Sequence, residues 1–238
     1  DNYRKWIAFY TMVRKDTVRI FRIWAQTFLP NVVTSSLYFL IFGTVLGNRI
    51  GQMQGVDYMS FVVPGLVMLA IVTSAYANSS FTFFQSKFFA RSIDELLVSP
   101  MPPWLIISGF VAGGVIRGVL VGALVMLVSM LFTGLQLSIH SLLIILSFAI
   151  LTAIVFALAG LVNGVYAKSI DAINIVPTFI LTPLTYLGGV FYSVHSLPQA
   201  AQYVTYVNPI FYLINGFRYG FLGITDIPLA TSLLVLFG

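Results

Sequence analysis

Long apolar runs, almost free of charge, alternate along this chain with short polar connections that hold nearly all of its lysine and arginine. A bilayer crossing takes about 20 consecutive apolar residues. Five stretches qualify: 29–46, 59–83, 103–132, 142–165 and 173–191. A sixth run begins near Pro228 and reaches roughly half the required length before Gly238.

Residues 3–26 follow another pattern. Trp6, Tyr10, Val13, Thr17, Ile20 and Trp24 recur at steps of four and three, which places them on one helix face. At ~3.6 residues per turn, Arg4, Lys15, Arg19 and Arg22 fall on the opposite side, with Lys5 and Arg14 near the boundaries. Aromatic residues on one face and cations on the other predict a helix lying in the headgroup layer; a soluble-type helix packed on a partner is the competing reading. The pattern as a whole predicts an all-α membrane protein. It has six transmembrane helices, the sixth truncated, preceded by an amphipathic interfacial helix, in a single domain over 1–238.

Composition agrees with the periodicity. Charged residues make up 8% of the chain and hydrophobic residues 59%, with a mean hydropathy of +0.97, where a soluble domain carries about a quarter charged residues. The absence of cysteine excludes disulfides and thiolate chemistry. A net charge of +5 could suggest nucleic acid. The cations sit beside membrane spans, however, so they read as topology signals near anionic lipid. With the N-terminus inside, the inner segments hold Arg4, Lys5, Arg14, Lys15, Arg19, Arg22, Lys87, Arg91 and Lys168, and the outer ones only Arg49 and Arg218. That bias predicts a cytoplasmic N-terminus and a cytoplasmic 85–102 loop. No cleavable signal is visible, and the sequence, from Asp1 to Gly238, reads as trimmed at both ends.

No catalytic constellation and no metal-ligand spacing emerge. His140 and His195 fall in predicted outer connections, away from the depth of Ser129 or Ser147, the serines a membrane hydrolase could use. The chain has no GxxxxGK[ST] phosphate loop, so any ATP dependence must come from another subunit. Inside the third span, Gly109/Gly113, Gly114/Gly118 and Gly118/Gly122 form GxxxG pairs, a spacing that lets helix backbones approach closely in lipid. Arg117 is the one charge well inside a span. A central arginine costs about 2.5–3.5 kcal/mol on insertion scales, so it should face the bundle, a partner or water. No acid lies within a span to pair with it; Asn163 or a helix carbonyl is a candidate acceptor. Arg117 reads either as a contact for an anionic substrate group or a conformational lock, or as a packed arginine held by neutral acceptors.

The stretch 88–104, FFARSIDELLVSPMPPW, opens with cations, carries the unit Asp94-Glu95-Leu96-Leu97-Val98, and closes on Pro100, Pro102 and Pro103. Proline cannot continue a helix, so a brief helix between two spans is predicted. Its acid pair and leucines suit the groove of a cytoplasmic partner, or else it is a plain interhelical turn.

Four separated motifs, YMSFVVPGL at 58–66, ELLVSPMP at 95–102, DAINIVPTFILTPLTYLGGVFY at 171–192 and NPIFYLINGFRYGFLG at 208–223, follow the basic helix in order. Together they resemble the type-2 ABC exporter permeases, the membrane subunits of bacterial drug, polysaccharide and lipid export systems. The resemblance covers essentially the whole chain and departs only at the shortened sixth span. It implies that 93–100 is a coupling helix resting on a separate ATPase subunit, with Arg91, Asp94, Glu95, Leu96, Leu97 and Pro100 as contact residues. It implies two permeases, in a homodimer, with two ATPases, and places them in the bacterial inner membrane. No cofactor would bind this chain; ATP and magnesium would bind the partner. The region 193–219 would form extracellular or re-entrant helices capping the pathway, with Gly188, Gly189, Asn208, Pro209 and Arg218 at the helix break and cap. Arg218 would anchor that cap at the headgroups, and Arg117 and Asn163 would be the polar pathway candidates. An ATP-independent secondary transporter is the alternative, and a membrane enzyme a more distant one. The substrate class stays open, although Phe39, Phe42, Phe81, Phe83, Phe84, Phe179 and Tyr186 suit an amphiphile or drug.

Overall fold

The computed structural model describes residues 2–89, 92–133 and 141–237; Arg91 and His140 lie outside them. Helix α1 spans Asn2–Arg22, and α2 follows at Trp24–Ile50. Then come α3 (Tyr58–Phe88), the short α4 (Ser92–Val98), α5 (Pro103–Thr133) and α6 (Leu142–Tyr166). Helix α7 covers Ile170–Tyr186. It is followed by α8 (Gln199–Val207), α9 (Pro209–Leu222) and α10 (Leu229–Phe237). Helices α2, α3, α5 and α6 are long and apolar enough to cross a membrane, and α7 is a shorter apolar helix. The protein is an all-α membrane protein.

One element escaped hydropathy. Strands β1 (Gln52–Met53) and β2 (Val56–Asp57) pair antiparallel, Gln52 opposite Asp57 and Met53 opposite Val56. The turn residues Gln54 and Gly55 have φ of 53° and 80°, the left-handed pair of a tight hairpin turn. Asp57 then caps α3 by accepting from the Met59 N–H at 3.2 Å, and Ser141 and Ser169 cap α6 and α7 in the same way. At the other end of α6, the Lys87 Nζ donates to the Val165 carbonyl at 2.9 Å, a cation where the helix dipole is negative.

Helix α3 is the hub. Of its most apolar window 78% is buried, against 12% for α2, and it packs on both α5 and α6. Two glycine-lined surfaces grip it. Gly114, Gly118 and Gly122 of α5 face Ala75, Ile71 and Ser79; Gly160 and Gly164 of α6 lie against the Tyr76 and Ser80 carbonyls. The third-span glycines therefore serve two seams, because Gly109 and Gly113 turn away from α3 to receive Met12 and Asp16 of α1. Lipid supplies no hydrophobic drive between helices, so backbone approach through small residues carries the association.

Within 193–219 lie α8, partly exposed, and most of α9. Helix α9 is largely buried and enters the bundle: Phe148 of α6 fills the space above Gly216, and Ile145 lies beside Gly220. The Ser141 N–H donates to the Gly220 carbonyl at 2.9 Å. The predicted fifth span also ends earlier than 191, since α7 stops at Tyr186 and the chain turns through Gly189 at φ 79°.

Replacing Gly160 by valine drives side-chain atoms into the Tyr76 backbone. The expected loss is about 1–3 kcal/mol or more, read as a lower thermal midpoint of the purified protein in detergent. Leu143→Ala, at a side chain 75% exposed, should leave that midpoint within experimental scatter.

Candidate functional site

Helix α4 links the ends of α3 and α5 and divides its side chains sharply. Ile93 is buried and Leu96 packs inward on the main core. Asp94, Glu95 and Pro100 are exposed, and Leu97 and Val98 stand 65% and 86% exposed. Leu96, grouped by sequence with the contact residues, is thus part of what holds α4 in place. Leu97 and Val98 are the apolar residues left on the free face, with Phe89 exposed beside α4.

Behind α4 the N-terminal helix is clasped to the bundle by polar side chains. Asp16 is buried over Gly113. Arg19 pairs with Asp16 at 3.3 Å and donates from Nη2 to Asn78 Oδ1 at 3.0 Å and to Thr82. Asn78 in turn donates to Asp16 Oδ2 at 3.4 Å. Burial pushes the Asp16 carboxyl above its ordinary range, and the Arg19 guanidinium offsets this only in part. The face of α1 turned to the protein is therefore Met12, Asp16, Arg19 and Ile20. Trp6, Tyr10 and Trp24 are exposed. Two expectations from periodicity need correcting: Ile20 does not share the exposed aromatic face, and Arg19 does not point to water. An amphipathic pattern identifies faces but cannot say which one a neighbouring helix will claim.

Sequence signals for this clasp exist in hindsight. Asp16 is the one acid between Asn2 and Val56, set among cations, and Asn78 and Thr82 form a polar i,i+4 pair inside an apolar helix. Asp16 also lies within electrostatic range of Arg117. Among the described residues Arg117 has no hydrogen-bond acceptor, and its Nε is buried without one. Asn163 is not that acceptor: its amide donates to Ser80 Oγ at 3.2 Å and to the Ile173 carbonyl at 2.9 Å, tying α6 to α3 and α7.

A cavity of about 230 Å3 opens between α2, α3 and α7. Asn31, Thr34, Ser35 and Tyr38 line one wall, Thr182 and Tyr186 another, with Thr73 between them. Both α2 and α7 carry a π-helical segment here, Phe39–Leu46 and Pro177–Leu181, and such widened turns recur at functional sites. In α7 the cause is local, since Pro177 and Pro183 lack the N–H groups a regular ladder needs. The seam is closed by the Tyr38 and Tyr186 hydroxyls, hydrogen-bonded to each other. Phe191 stacks on Phe42 at 4.3 Å between centroids and lies 5.9 Å from Tyr186.

Arg218 is a larger correction. It is 1% exposed, so it cannot anchor the cap at headgroups. Its Nη2 donates to the Gly189 carbonyl at 2.7 Å and its Nε to the Phe61 carbonyl at 3.4 Å, while the guanidinium lies 3.8 Å from the Phe61 ring centroid. A planar, weakly hydrated cation suits such stacking. Gly188 lies against Ile210 and Ile214 of α9. Asn208 accepts from the Ile210 N–H at 3.0 Å and donates to the Leu184 carbonyl, with Pro209 opening α9. These five residues join α7, α9 and the start of α3 into one packed corner. The hairpin closes it, with Gln54 donating to Ser193 Oγ at 2.8 Å and to Asp226.

Because the folded state binds the Asp16 proton more tightly than the unfolded chain, stability should rise as pH falls through the raised value and level off below 3.8. Asp16→Asn should flatten that dependence. Arg19→Ala should cost about 1–3 kcal/mol at neutral pH, the penalty for stranding buried polar groups. Thermal unfolding in detergent across pH checks both.

The ABC-2 type transporter family matches residues 7–222. The inner membrane transport permease YadH of Escherichia coli K12 is 53% identical over 231 residues, covering 97% of this chain and 89% of that protein. Nodulation protein J of Rhizobium meliloti is 25% identical over 221 residues, 90% of this chain and 79% of its own. Nodulation protein J of Neorhizobium galegae is 23% identical over 234 residues, 98% and 87% respectively. With the family matched along nearly its whole length and a relative above half identity, this chain belongs to the ABC-2 type transporter family, as a membrane permease of an ABC transport system.

Proposed function

We propose that this chain is the membrane subunit of an ATP-driven exporter in a bacterial inner membrane, with its N-terminus in the cytoplasm. The observation that carries the reading is α4. It is rooted by Ile93 and Leu96, joins two spans, and offers an acid pair and two exposed apolar side chains to a cytoplasmic ATPase subunit. A push on α4 reaches α3 and α5 directly, since those are the helices it connects. The ATPase, with its ATP and magnesium, biases a bistable assembly, and the spans rock between two packings. The positive-inside distribution of lysine and arginine supports the orientation, and the exposed aromatic face of α1 supports its lying in the headgroup layer.

Substrate passage is assigned to the seam between α2 and α7. Hydroxyl and amide groups line its cavity, and aromatic rings close it, a mixture suited to an amphiphile such as a lipid, a polysaccharide carrier or a drug. The outer face of α2, with Leu29, Val33, Leu37 and Ile41 exposed, suits a second copy of the chain in a homodimer.

The test pairs the chain with its ATPase in proteoliposomes. Leu97→Ser with Val98→Ser should cut nucleotide-dependent transport at least tenfold while leaving assembly of the permease intact. Unchanged coupling in that variant would remove α4 from the mechanism, and uphill transport by the lone chain would favour the ATP-independent alternative.

A further inference from the structure

A second cavity, about 810 Å3, lies between α1, the end of α3, α4 and the start of α5. Its charge is unbalanced: Arg14, Lys15, Arg19 and Arg22 line it against Asp16 and Glu95. Asp16 is already matched by Arg19 at 3.3 Å. Arg14, Lys15 and Arg22 stay exposed and have no ion-pair partner among the described residues. Arg19, with its Nη2 committed to Asn78 and Thr82, keeps a buried Nε without an acceptor.

The remaining walls are amphiphilic. Gln85 and Ser92 add neutral donors, and Val18, Leu96 and Phe110 supply an apolar side. Cations and amide groups beside an apolar wall match a phosphate ester carrying an acyl chain, and basic pockets at the cytoplasmic ends of membrane helices recognise anionic headgroups. We infer that this cavity binds the phosphate headgroup of an anionic phospholipid, held between α1 and α4. The inference rests on the proposed placement of α1 in the headgroup layer. A lipid seated there touches the same Leu96 that roots α4, so the charge of the inner leaflet bears on the helix that receives the push.

The experiment titrates the purified chain, in neutral detergent, with phosphatidylglycerol and with phosphatidylcholine. Phosphatidylglycerol should bind at least tenfold more tightly. Lys15→Gln with Arg22→Gln removes two exposed cations of the cavity. At ~1 kcal/mol per cation, and ~1.4 kcal/mol per tenfold, binding should weaken about thirtyfold. Arg4→Gln with Lys5→Gln, on the same helix but away from the cavity, should change it less than twofold. Equal effects of the two pairs, or no preference between the lipids, would overturn the site. Displacement of the lipid by millimolar inorganic phosphate would replace the headgroup with a soluble phosphate as ligand, and would overturn the lipid assignment. In a chain carrying Trp24→Phe and Trp104→Phe, quenching of Trp6 fluorescence by lipids brominated near the headgroup reports the placement of α1 separately. Strong quenching without phosphatidylglycerol selectivity would sink the site and leave the placement standing.

Discussion

The close approach of α3 to glycine-lined faces of α5 and α6 is the constraint from which the remaining architecture follows. In hydrocarbon no water competes for backbone groups and no hydrophobic gain separates helix from lipid, so association depends on contact between surfaces that fit. Gly114, Gly118 and Gly122 on one side and Gly160 and Gly164 on the other bring backbones within reach of α3. A fixed central helix gives every other element something to be positioned against. Helix α1 lies against α5 and reaches α3 through Arg19, α9 inserts beside the start of α6, and α4 hangs between the ends of α3 and α5.

Polar side chains then define the two ends of this bundle. At the α4 end, Asp16, Arg19, Asn78 and Thr82 bind α1 to α3. At the opposite end, Arg218 gathers the Gly189 and Phe61 carbonyls, and Gln54, Ser193 and Asp226 fasten the hairpin. A buried charge is tolerated only with partners around it, so each cluster fixes its helices in one relative arrangement. Between them, a hydroxyl pair and stacked rings line the α2–α7 seam.

The glycines illustrate how far a sequence reaches. Their GxxxG spacing announced tight packing, yet Gly109 and Gly113 serve α1 while Gly114, Gly118 and Gly122 serve α3. Adjacent positions on a helix point about 100° apart, so one run of small residues can feed two neighbours. Arg218 and Asn163 teach the same lesson from polar residues. Each was placed by its depth along the chain, and each is engaged by groups remote in sequence, Phe61 for one and Ser80 for the other. Leu96 and Leu97 are adjacent and chemically identical, and packing alone makes one a root and the other a free surface.

Hydropathy and charge distribution by themselves determined the membrane class, the helical ladder and the presence of a brief helix between the second and third spans. These are properties of local transfer free energy and of period, which each segment carries alone. Which face of α1 meets the bundle, which glycines meet α3, and where Asn163 and Arg218 find their partners were decided by tertiary structure. Those outcomes depend on contacts between segments far apart in the chain, and no local pattern encodes the partner.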